Sequence, residues 1–204
     1  MIVEYNFWRL CQARAIQTGW LSFFMGKRLL LIIDVQNYFF EQNSNAYIKG
    51  SNLLIRKINR TIKFFEKNNE PIIFVKFVPS KRKNNFNKWW KHLPQGKDCE
   101  LYKSLYLPKK FQIFKKDSYS IFRKRSFRKL LKTFEIEEIY FAGVMTELCV
   151  ESNIRESFEF GYENYLFEDL VGSRNIKYHK YSIEIIKRGF AKIINSKDFI
   201  YGKL

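Results

Sequence analysis

The sequence Tyr140-Phe-Ala-Gly-Val-Met-Thr-Glu-Leu-Cys-Val-Glu-Ser152 joins an apolar run to the start of a helix. The run stops at Gly143, and Thr146 is predicted to cap the helix because its hydroxyl can accept hydrogen bonds from nearby backbone N–H groups. Gly161 is of the residue type that commonly ends a helix. Between them, three apolar residues recur at the spacing of one helix face: Val150, Ile154 and Phe158.

Cys149 falls in the first turn of this predicted helix. Unpaired N–H groups and the positive end of the helix dipole favour a thiolate over a thiol at such a position. Cysteine is also among the most buried residue types, so the same position suits a small residue packed where the helix meets a sheet. This stretch alone leaves both interpretations open.

Working outward, apolar strands alternate with helical patterns from Leu29 onward. The predicted strands are Leu29–Ile33, Pro71–Val75, Phe111–Phe114, Glu138–Ala142, Glu163–Phe167 and Ala191–Ile194. The predicted helices are Leu53–Phe65, Ser126–Phe134, the segment after Thr146, and Ile176–Arg188. This alternation predicts an α/β fold with three α/β/α layers, in which a doubly wound, mainly parallel six-stranded sheet carries helices on both faces.

The chain of 204 residues, 46% of them hydrophobic, is large enough for one domain with a sizeable core. We predict that residues 25–204 form this domain and that residues 1–24 are an N-terminal extension. The extension is either an amphipathic helix that docks on the domain or a segment foreign to the fold. Charged and amide side chains interrupt its apolar residues, so we predict no membrane span.

The net charge of +17 is typical of proteins that bind polyanions. The Lys and Arg residues are scattered along the whole chain, however, so we expect no specific nucleic-acid binding. The cysteines are odd in number and lack C-x-x-C spacing, which argues against a disulfide framework and predicts a cytoplasmic protein. They are Cys11, Cys99 and Cys149.

Three chemically useful groups follow predicted strands. Asp34 follows the first strand, Lys115 and Lys116 follow the third, and the Gly143–Cys149 turn follows the fourth. Ligands of open parallel sheets bind outside the carboxyl ends of the strands, so these groups are expected to converge on one crevice. The sequence contains no glycine-rich phosphate-binding motif, so a nucleotide is not the expected ligand.

Three motifs carry a resemblance to a known family. They are Leu31-Ile-Ile-Asp-Val-Gln-Asn37, Lys116-Asp-Ser-Tyr-Ser-Ile-Phe122 and Ala142-Gly-Val-Met-Thr-Glu-Leu-Cys-Val150. Their types and order resemble the signatures of the isochorismatase-like cysteine hydrolases, a superfamily that includes nicotinamidases. The resemblance covers about residues 28–200. It favours a functional role for Cys149 over a packing role.

The resemblance implies a catalytic triad of Asp34, Lys116 and Cys149. Cys149 would be the nucleophile, Lys116 a neighbouring cation that favours the thiolate, and Asp34 the general base and acid. The implied reaction cleaves an amide-type C–N bond through a thioester. Backbone N–H groups of Met145 and Cys149 would form the oxyanion hole, with a cis peptide bond between Val144 and Met145. The alternatives are that Asp34 only caps a loop and that Lys115 faces the site.

For the substrate pocket we predict five residues: Gln36, Tyr38, Trp89, Trp90 and Tyr119. The two indoles could instead pack against the domain or a subunit interface. Nicotinamidases carry an Asp-x-His metal motif where this chain reads Lys76-Phe-Val-Pro-Ser-Lys-Arg82, so the resemblance predicts no metal, and we expect no cofactor. His179 and Asp169 are interpreted as structural. We expect a small-molecule substrate and a homo-oligomer.

Two other functions remain open at this point. Hydrolysis of a vinyl ether, as in isochorismate cleavage, would use Asp34 and Lys116 without depending on the Cys149 thiol. A catalytically idle relative would instead act as a binding or scaffold protein through its basic surface.

Overall fold

The computed structural model describes residues 28–82 and 85–203. Its six strands are β1 Arg28–Ile33, β2 Ile72–Phe77, β3 Gln112–Lys116, β4 Glu138–Val144, β5 Glu163–Gly172 and β6 Lys192–Ile194. They form one sheet in the order β3-β2-β1-β4-β5-β6, and every neighbouring pair is parallel. The predicted α/β fold class is confirmed.

Helices connect the strands. They are α1 Asn37–Phe40, α2 Ser51–Lys67, α3 Asn85–Trp89, α4 Arg125–Thr133, α5 Glu151–Glu159, α6 Ile176–Gly189 and α7 Ser196–Ile200. A single π-helical turn, Thr146–Val150, leads directly into α5. None of the helices among these described residues is long and apolar enough to cross a membrane.

The apolar run of β1 is explained by burial on both faces of the sheet. Leu30 and Ile32 belong to the core that contains the buried face of α2, whereas Leu29 and Leu31 belong to the core that contains residues of α4 and α5. Successive side chains of a strand point to opposite faces, so a strand covered by helices on both sides needs apolar residues throughout.

The predicted strand boundaries were wrong at the ends that matter for function. β5 extends to Gly172 rather than ending at Phe167, because after a register shift it pairs again with the end of β4. β2 extends to Phe77 and β3 includes Lys116. Strands are predicted from runs of apolar residues, and charged residues interrupt such a run. The predicted strands therefore stop before the true ends.

The predicted cap of the Cys149 helix was also wrong. Met145 occupies the capping position without a side-chain bond, and the Thr146 hydroxyl oxygen lies 2.8 Å from Nδ1 of His179. Phe158, predicted on the buried face of this helix, is 48% exposed. The predicted end is confirmed, since α5 stops at Glu159 and Gly161 follows with φ 82°.

The prediction that residues 1–24 form an added extension lies outside the described residues.

Candidate active site

Asp34 begins the site at the end of β1. Its φ is 53°, in the left-handed region that residues other than glycine seldom adopt. Its N–H donates to the carbonyl of Val75, in neighbouring β2, at 2.9 Å, and its side chain is fully buried. Such a strained backbone is often found at functional sites.

Gly143 lets the end of β4 pack against the end of β1. A Cβ atom at this position would lie 2.0 Å from the carbonyl oxygen of Ile33, and the φ of Gly143 is 119°. Only glycine fits this close approach between two backbones. The turn that follows, with a cis peptide bond between Val144 and Met145, therefore starts beside Asp34.

Lys116 reaches Asp34 and Cys149 from β3, which lies two strands away from β1 in the sheet. Its ammonium donates to Oδ2 of Asp34 at 2.7 Å and to Sγ of Cys149 at 3.2 Å. The same nitrogen lies 5.2 Å from the centre of the Phe77 ring. Lys115 is exposed, so the alternation of side chains along β3 directs only Lys116 to this group.

The site is buried enough to change the protonation of Cys149. Burial raises the pKa of the Cys149 thiol, and the Asp34 carboxylate raises it further, while Lys116 opposes both effects. The expectation of a resting thiolate beside Lys116 was therefore wrong. A helix terminus and one ammonium do not compensate for complete desolvation next to a carboxylate.

Burial also raises the pKa of Asp34, although the Lys116 ammonium partly offsets it. For Lys116, burial acts to lower the pKa, but the charges of Asp34 and Cys149 outweigh it and the pKa is raised. Lys116 is therefore an ammonium ion, and Asp34 is a stronger base than an ordinary carboxylate. The arrangement can move a proton from a thiol to a carboxylate.

Asn153 joins the turn that carries Cys149 to the loop after β3. Its Nδ2 donates to the carbonyl of Cys149 at 2.6 Å and to that of Tyr119 at 3.1 Å. Its Oδ1 accepts from the N–H of Ile121 at 3.0 Å. Since Asn153 is fully buried, these bonds fix the distance between the elements that carry Cys149 and Lys116.

The backbone near Met145 offers a donor to a ligand. The Met145 carbonyl accepts from the N–H groups of Leu148 and Val150. No described group accepts from the Met145 N–H, and both Met145 and Cys149 line a cavity. A backbone donor in such a position can bind a carbonyl oxygen.

This cavity has a volume of about 390 Å³, and Cys149 is one of the residues that line it. Aromatic residues are the largest group in its wall: Tyr38, Phe39, Phe77, Phe86, Trp89, Trp90 and Tyr119. The remainder consists of Asn45, Ala46, Lys91, His92, Leu93, Pro94, Met145, Leu148 and Arg174. Its size and apolar walls are typical of a small-molecule site.

Gln36 does not line the cavity, although it was predicted to do so. Its Nε2 donates to the carbonyls of Phe77 and Cys99, both at 2.9 Å, and its Oε1 accepts from the Phe77 N–H at 2.7 Å. The side chain is fully buried and saturated by backbone groups. Gln36 therefore fixes the end of β2 instead of contacting a ligand.

The other four predicted pocket residues do line the cavity. The Trp90 indole N–H donates to the Tyr119 hydroxyl at 3.0 Å, and the Tyr38 hydroxyl donates to the His92 carbonyl at 2.8 Å. Trp89 is 78% exposed. Two tyrosine hydroxyls thus attach the Trp-containing segment to the rest of the site.

The sequence interpretation missed two notable wall residues: Phe77 and Arg174. Phe77 was missed because the predicted β2 ended two residues early. Arg174 follows the true end of β5 by two residues, so a correct boundary for β5 would have placed it at the same edge of the sheet as Asp34.

A metal does not fit at the end of β2. The buried side chain of Lys76 donates to the Glu100 carboxylate at 2.6 Å, so an ammonium ion occupies this place. Val78 and Pro79 follow without a ligating side chain. Across the described ranges, no three residues among His, Cys, Asp and Glu are grouped so that they could hold a metal ion.

Comparisons with known proteins agree with this geometry. The family model described as the isochorismatase domain matches residues 28–198. Nicotinamidase 3 of Arabidopsis thaliana is 29% identical over 84 residues, which is 41% of this chain and 42% of that protein. The chain thus aligns with less than half the length of this curated relative.

Solved structures share the fold. An isochorismatase-like hydrolase from Alkaliphilus metalliredigens superposes with a TM-score of 0.80 at 18% identity, covering 88% of this chain and 100% of that one. A nicotinamidase/pyrazinamidase from Bacillus subtilis gives 0.76 at 19% identity, covering 83% and 100%. The family match over most of the chain confirms the resemblance seen in the three motifs, and the protein belongs to the isochorismatase-like hydrolase family, which includes nicotinamidases.

Proposed function

We propose that this protein is a cysteine amidohydrolase that cleaves an amide-type C–N bond of a small molecule. The observation that carries the proposal is the position of the Lys116 ammonium, 2.7 Å from Asp34 and 3.2 Å from Cys149, which lines the cavity. The names of the nicotinamidase relatives support an amide substrate.

In the acylation step, Sγ of Cys149 attacks the amide carbonyl carbon while its proton passes to Asp34. The S–C bond forms, and the π electrons of the carbonyl move to its oxygen. Since burial keeps the thiol protonated, the proton transfer accompanies the attack instead of preceding it. Lys116 stabilises the negative charge that develops on sulfur.

The tetrahedral intermediate then collapses. The oxygen returns its electrons to carbon, the C–N bond breaks, and the Asp34 carboxyl gives its proton to the leaving nitrogen. The products of this step are ammonia or an amine and a thioester on Cys149. Backbone N–H groups of Met145 and Cys149 would bind the oxyanion, for which donors about 2.7–3.1 Å away are required.

Water completes the reaction by attacking the thioester. Asp34 takes one proton from the water, the C–O bond forms, and the C–S bond breaks to release a carboxylic acid. The proton held by Asp34 returns to Cys149 and restores the thiol. Each turnover thus consumes one amide and one water, and yields one acid and one amine.

The proposal is tested with Cys149→Ala and Cys99→Ala variants, assayed on nicotinamide, pyrazinamide and benzamide. Both cysteines are free and buried, but only Cys149 lines the cavity, so Cys99→Ala is the matched control. We expect Cys149→Ala to lower kcat by at least about a thousandfold and Cys99→Ala to remain active. Intact-mass analysis should detect an acyl adduct on Cys149.

Full amide hydrolysis by Cys149→Ala would refute the thioester mechanism. Vinyl ether hydrolysis that survives in this variant, with no amide cleaved by the wild-type protein, would assign the alternative reaction. Binding to heparin, with neither reaction detectable, would favour a scaffold role.

Two broader expectations belong to the same proposal. The exposed apolar residues of α6, together with Leu53, support a homo-oligomer: Ile176, Tyr178, Tyr181 and Ile185. The free thiols of Cys99 and Cys149 support a reducing, cytoplasmic setting. Light scattering and fractionation of cells test these two expectations separately.

A further inference from the structure

We infer that the cavity selects amides that carry a carboxylate, which Arg174 binds at one part of the wall while the scissile carbonyl lies against Cys149. This inference rests on the proposed amidohydrolase function. It goes beyond it by naming the charge of the substrate and the residue that recognises it.

The charges of the wall all have one sign. Lys91 and Arg174 line the cavity, and no Asp or Glu is among the lining residues. Asp34 lies behind the wall, fully buried, and its charge is paired with Lys116. A negatively charged ligand would therefore meet cationic groups without an opposing carboxylate in the wall itself.

Arg174 is available to a ligand. Its side chain makes no hydrogen bond or ion pair with another residue in the described part of the chain, and it is exposed. Its backbone is held on both sides. The Ser173 hydroxyl donates to Glu147 at 2.6 Å, and the Asn175 side chain accepts from the N–H of Lys177 at the start of α6. The backbone that carries Arg174 is thus fixed, while its guanidinium is unpaired among the described residues.

The guanidinium acts on the wall electrostatically. Burial raises the pKa of the Tyr38 hydroxyl, the Asp98 carboxylate raises it further, and Arg174 lowers it. Tyr38 lines the cavity, so the field of Arg174 reaches the place that a ligand would occupy. Asp98 opposes this field, but it does not line the cavity.

The chemistry of the wall narrows the substrate class. The wall also contains seven aromatic residues, which suit a planar or apolar body. A guanidinium presents two parallel N–H donors that match the two oxygens of a carboxylate. The combination fits an aryl or short-chain amide with a carboxylate away from the amide carbon.

The first experiment measures binding and does not depend on hydrolysis. Calorimetric titrations of the full chain at low salt and near-neutral pH compare benzoate with benzyl alcohol, which has a similar shape without the charge. We expect benzoate to bind about fivefold more tightly, and the difference to disappear in Arg174→Gln and to shrink at high salt. Arg174→Lys should retain only part of it, because an ammonium keeps the charge but lacks the two parallel donors.

The matched control is Lys177→Gln, which removes a neighbouring exposed positive charge outside the cavity wall. It should leave the preference for benzoate unchanged. If benzoate binds no more tightly than benzyl alcohol, or if Lys177→Gln removes the preference as fully as Arg174→Gln, then Arg174 does not recognise a carboxylate.

The second experiment measures hydrolysis of 4-carbamoylbenzoate and benzamide, which share the same primary amide. We expect kcat/KM to favour the anionic amide by about fivefold, with the effect of Arg174→Gln confined to KM of that amide. Equal hydrolysis of both amides would overturn the inference while the proposed function stands. Hydrolysis of neither would refute the proposed function for aryl amides, and the binding experiment would then decide the inference alone.

Discussion

The two ends of the cavity are built in different ways. The inner end, as we define it, is the part of the wall formed by Cys149 together with its buried partners Asp34 and Lys116. Asp34, Lys116 and Cys149 are exposed by only 0%, 1% and 8%, and each follows or ends a strand or begins a helix. At the outer end, Trp89 is 78% exposed and lies on a short helix in the connection between β2 and β3. The inner end is held by the sheet, whereas the outer end is held by side chains.

This difference separates chemistry from selectivity. Proton transfer needs distances fixed to a fraction of an ångström, and a parallel sheet core provides that rigidity. A wall attached through two tyrosine hydroxyls can change its residues without disturbing the sheet. Changes at the inner end should therefore alter kcat and folding, and changes at the outer end should alter KM.

The largest effect is expected from Lys116→Met, which removes the ammonium from the inner end. Asp34 would remain buried without its partner, and loss of one member of a buried ion pair costs about 3–5 kcal/mol of folding free energy. We expect kcat to fall by about a hundredfold to a thousandfold through the loss of charge stabilisation. Urea unfolding and steady-state kinetics measure the two effects.

Lys115→Met is the matched control, because Lys115 is the adjacent residue of the same strand and is exposed. It should change stability by less than about 0.5 kcal/mol and leave kcat intact. The double variant Asp34→Asn/Lys116→Met should recover stability but not activity. Equal effects of the two lysine variants would remove the distinction between the inner end and the surface.

The second prediction concerns pH and uses the raised pKa of Asp34. A general base must be deprotonated, so kcat/KM should fall as the pH drops through the pKa of Asp34. An ordinary aspartate has a pKa of about 3.9. Since burial raises the pKa of Asp34, the fall in kcat/KM should occur at a higher pH than that, and it should reach about tenfold per pH unit. Initial rates across the acidic range measure it.

Glu70→Gln is the control for this profile. Glu70 is another described carboxyl group whose pKa is raised mainly by burial, and its partner Arg28 lies outside the cavity wall. The acid limb should remain in Glu70→Gln, and circular dichroism should show a folded protein throughout. If the fall of kcat/KM at acidic pH disappeared in this variant, the pH dependence would reflect folding rather than protonation of Asp34.

The sequence predicted the inner end better than the outer end, and the reason is physical. Asp34 and Cys149 follow strands whose apolar runs are dictated by burial on both faces, so the pattern locates their ends closely. β5 was predicted too short because its pairing with β4 resumes after a register shift. The periodicity of apolar residues in the sequence does not reveal such a shift. Arg174, which follows that segment, was therefore missed.

Side-chain partners were harder to predict than positions. Gln36 was correctly placed next to the site, but its amide bonds to the backbone of Phe77 and Cys99 instead of facing the cavity. The protonation of Cys149 depends on burial and on the distance to Asp34, and neither can be obtained from spacing along the chain. Such properties arise from tertiary contacts.

The smallest effect is expected from Trp90→Phe at the outer end. The change keeps an aromatic ring in the wall but removes the indole N–H that donates to the Tyr119 hydroxyl. A hydrogen bond between neutral groups contributes about 1 kcal/mol, so we expect KM to rise by about fivefold with kcat unchanged. Trp89→Phe is the matched control, because Trp89 also lines the cavity but is mostly exposed and makes no hydrogen bond to a described residue. Its KM should change less than that of Trp90→Phe. A fall in kcat as large as that of Lys116→Met would show that the wall takes part in the chemistry, and the separation between the two ends would then be wrong.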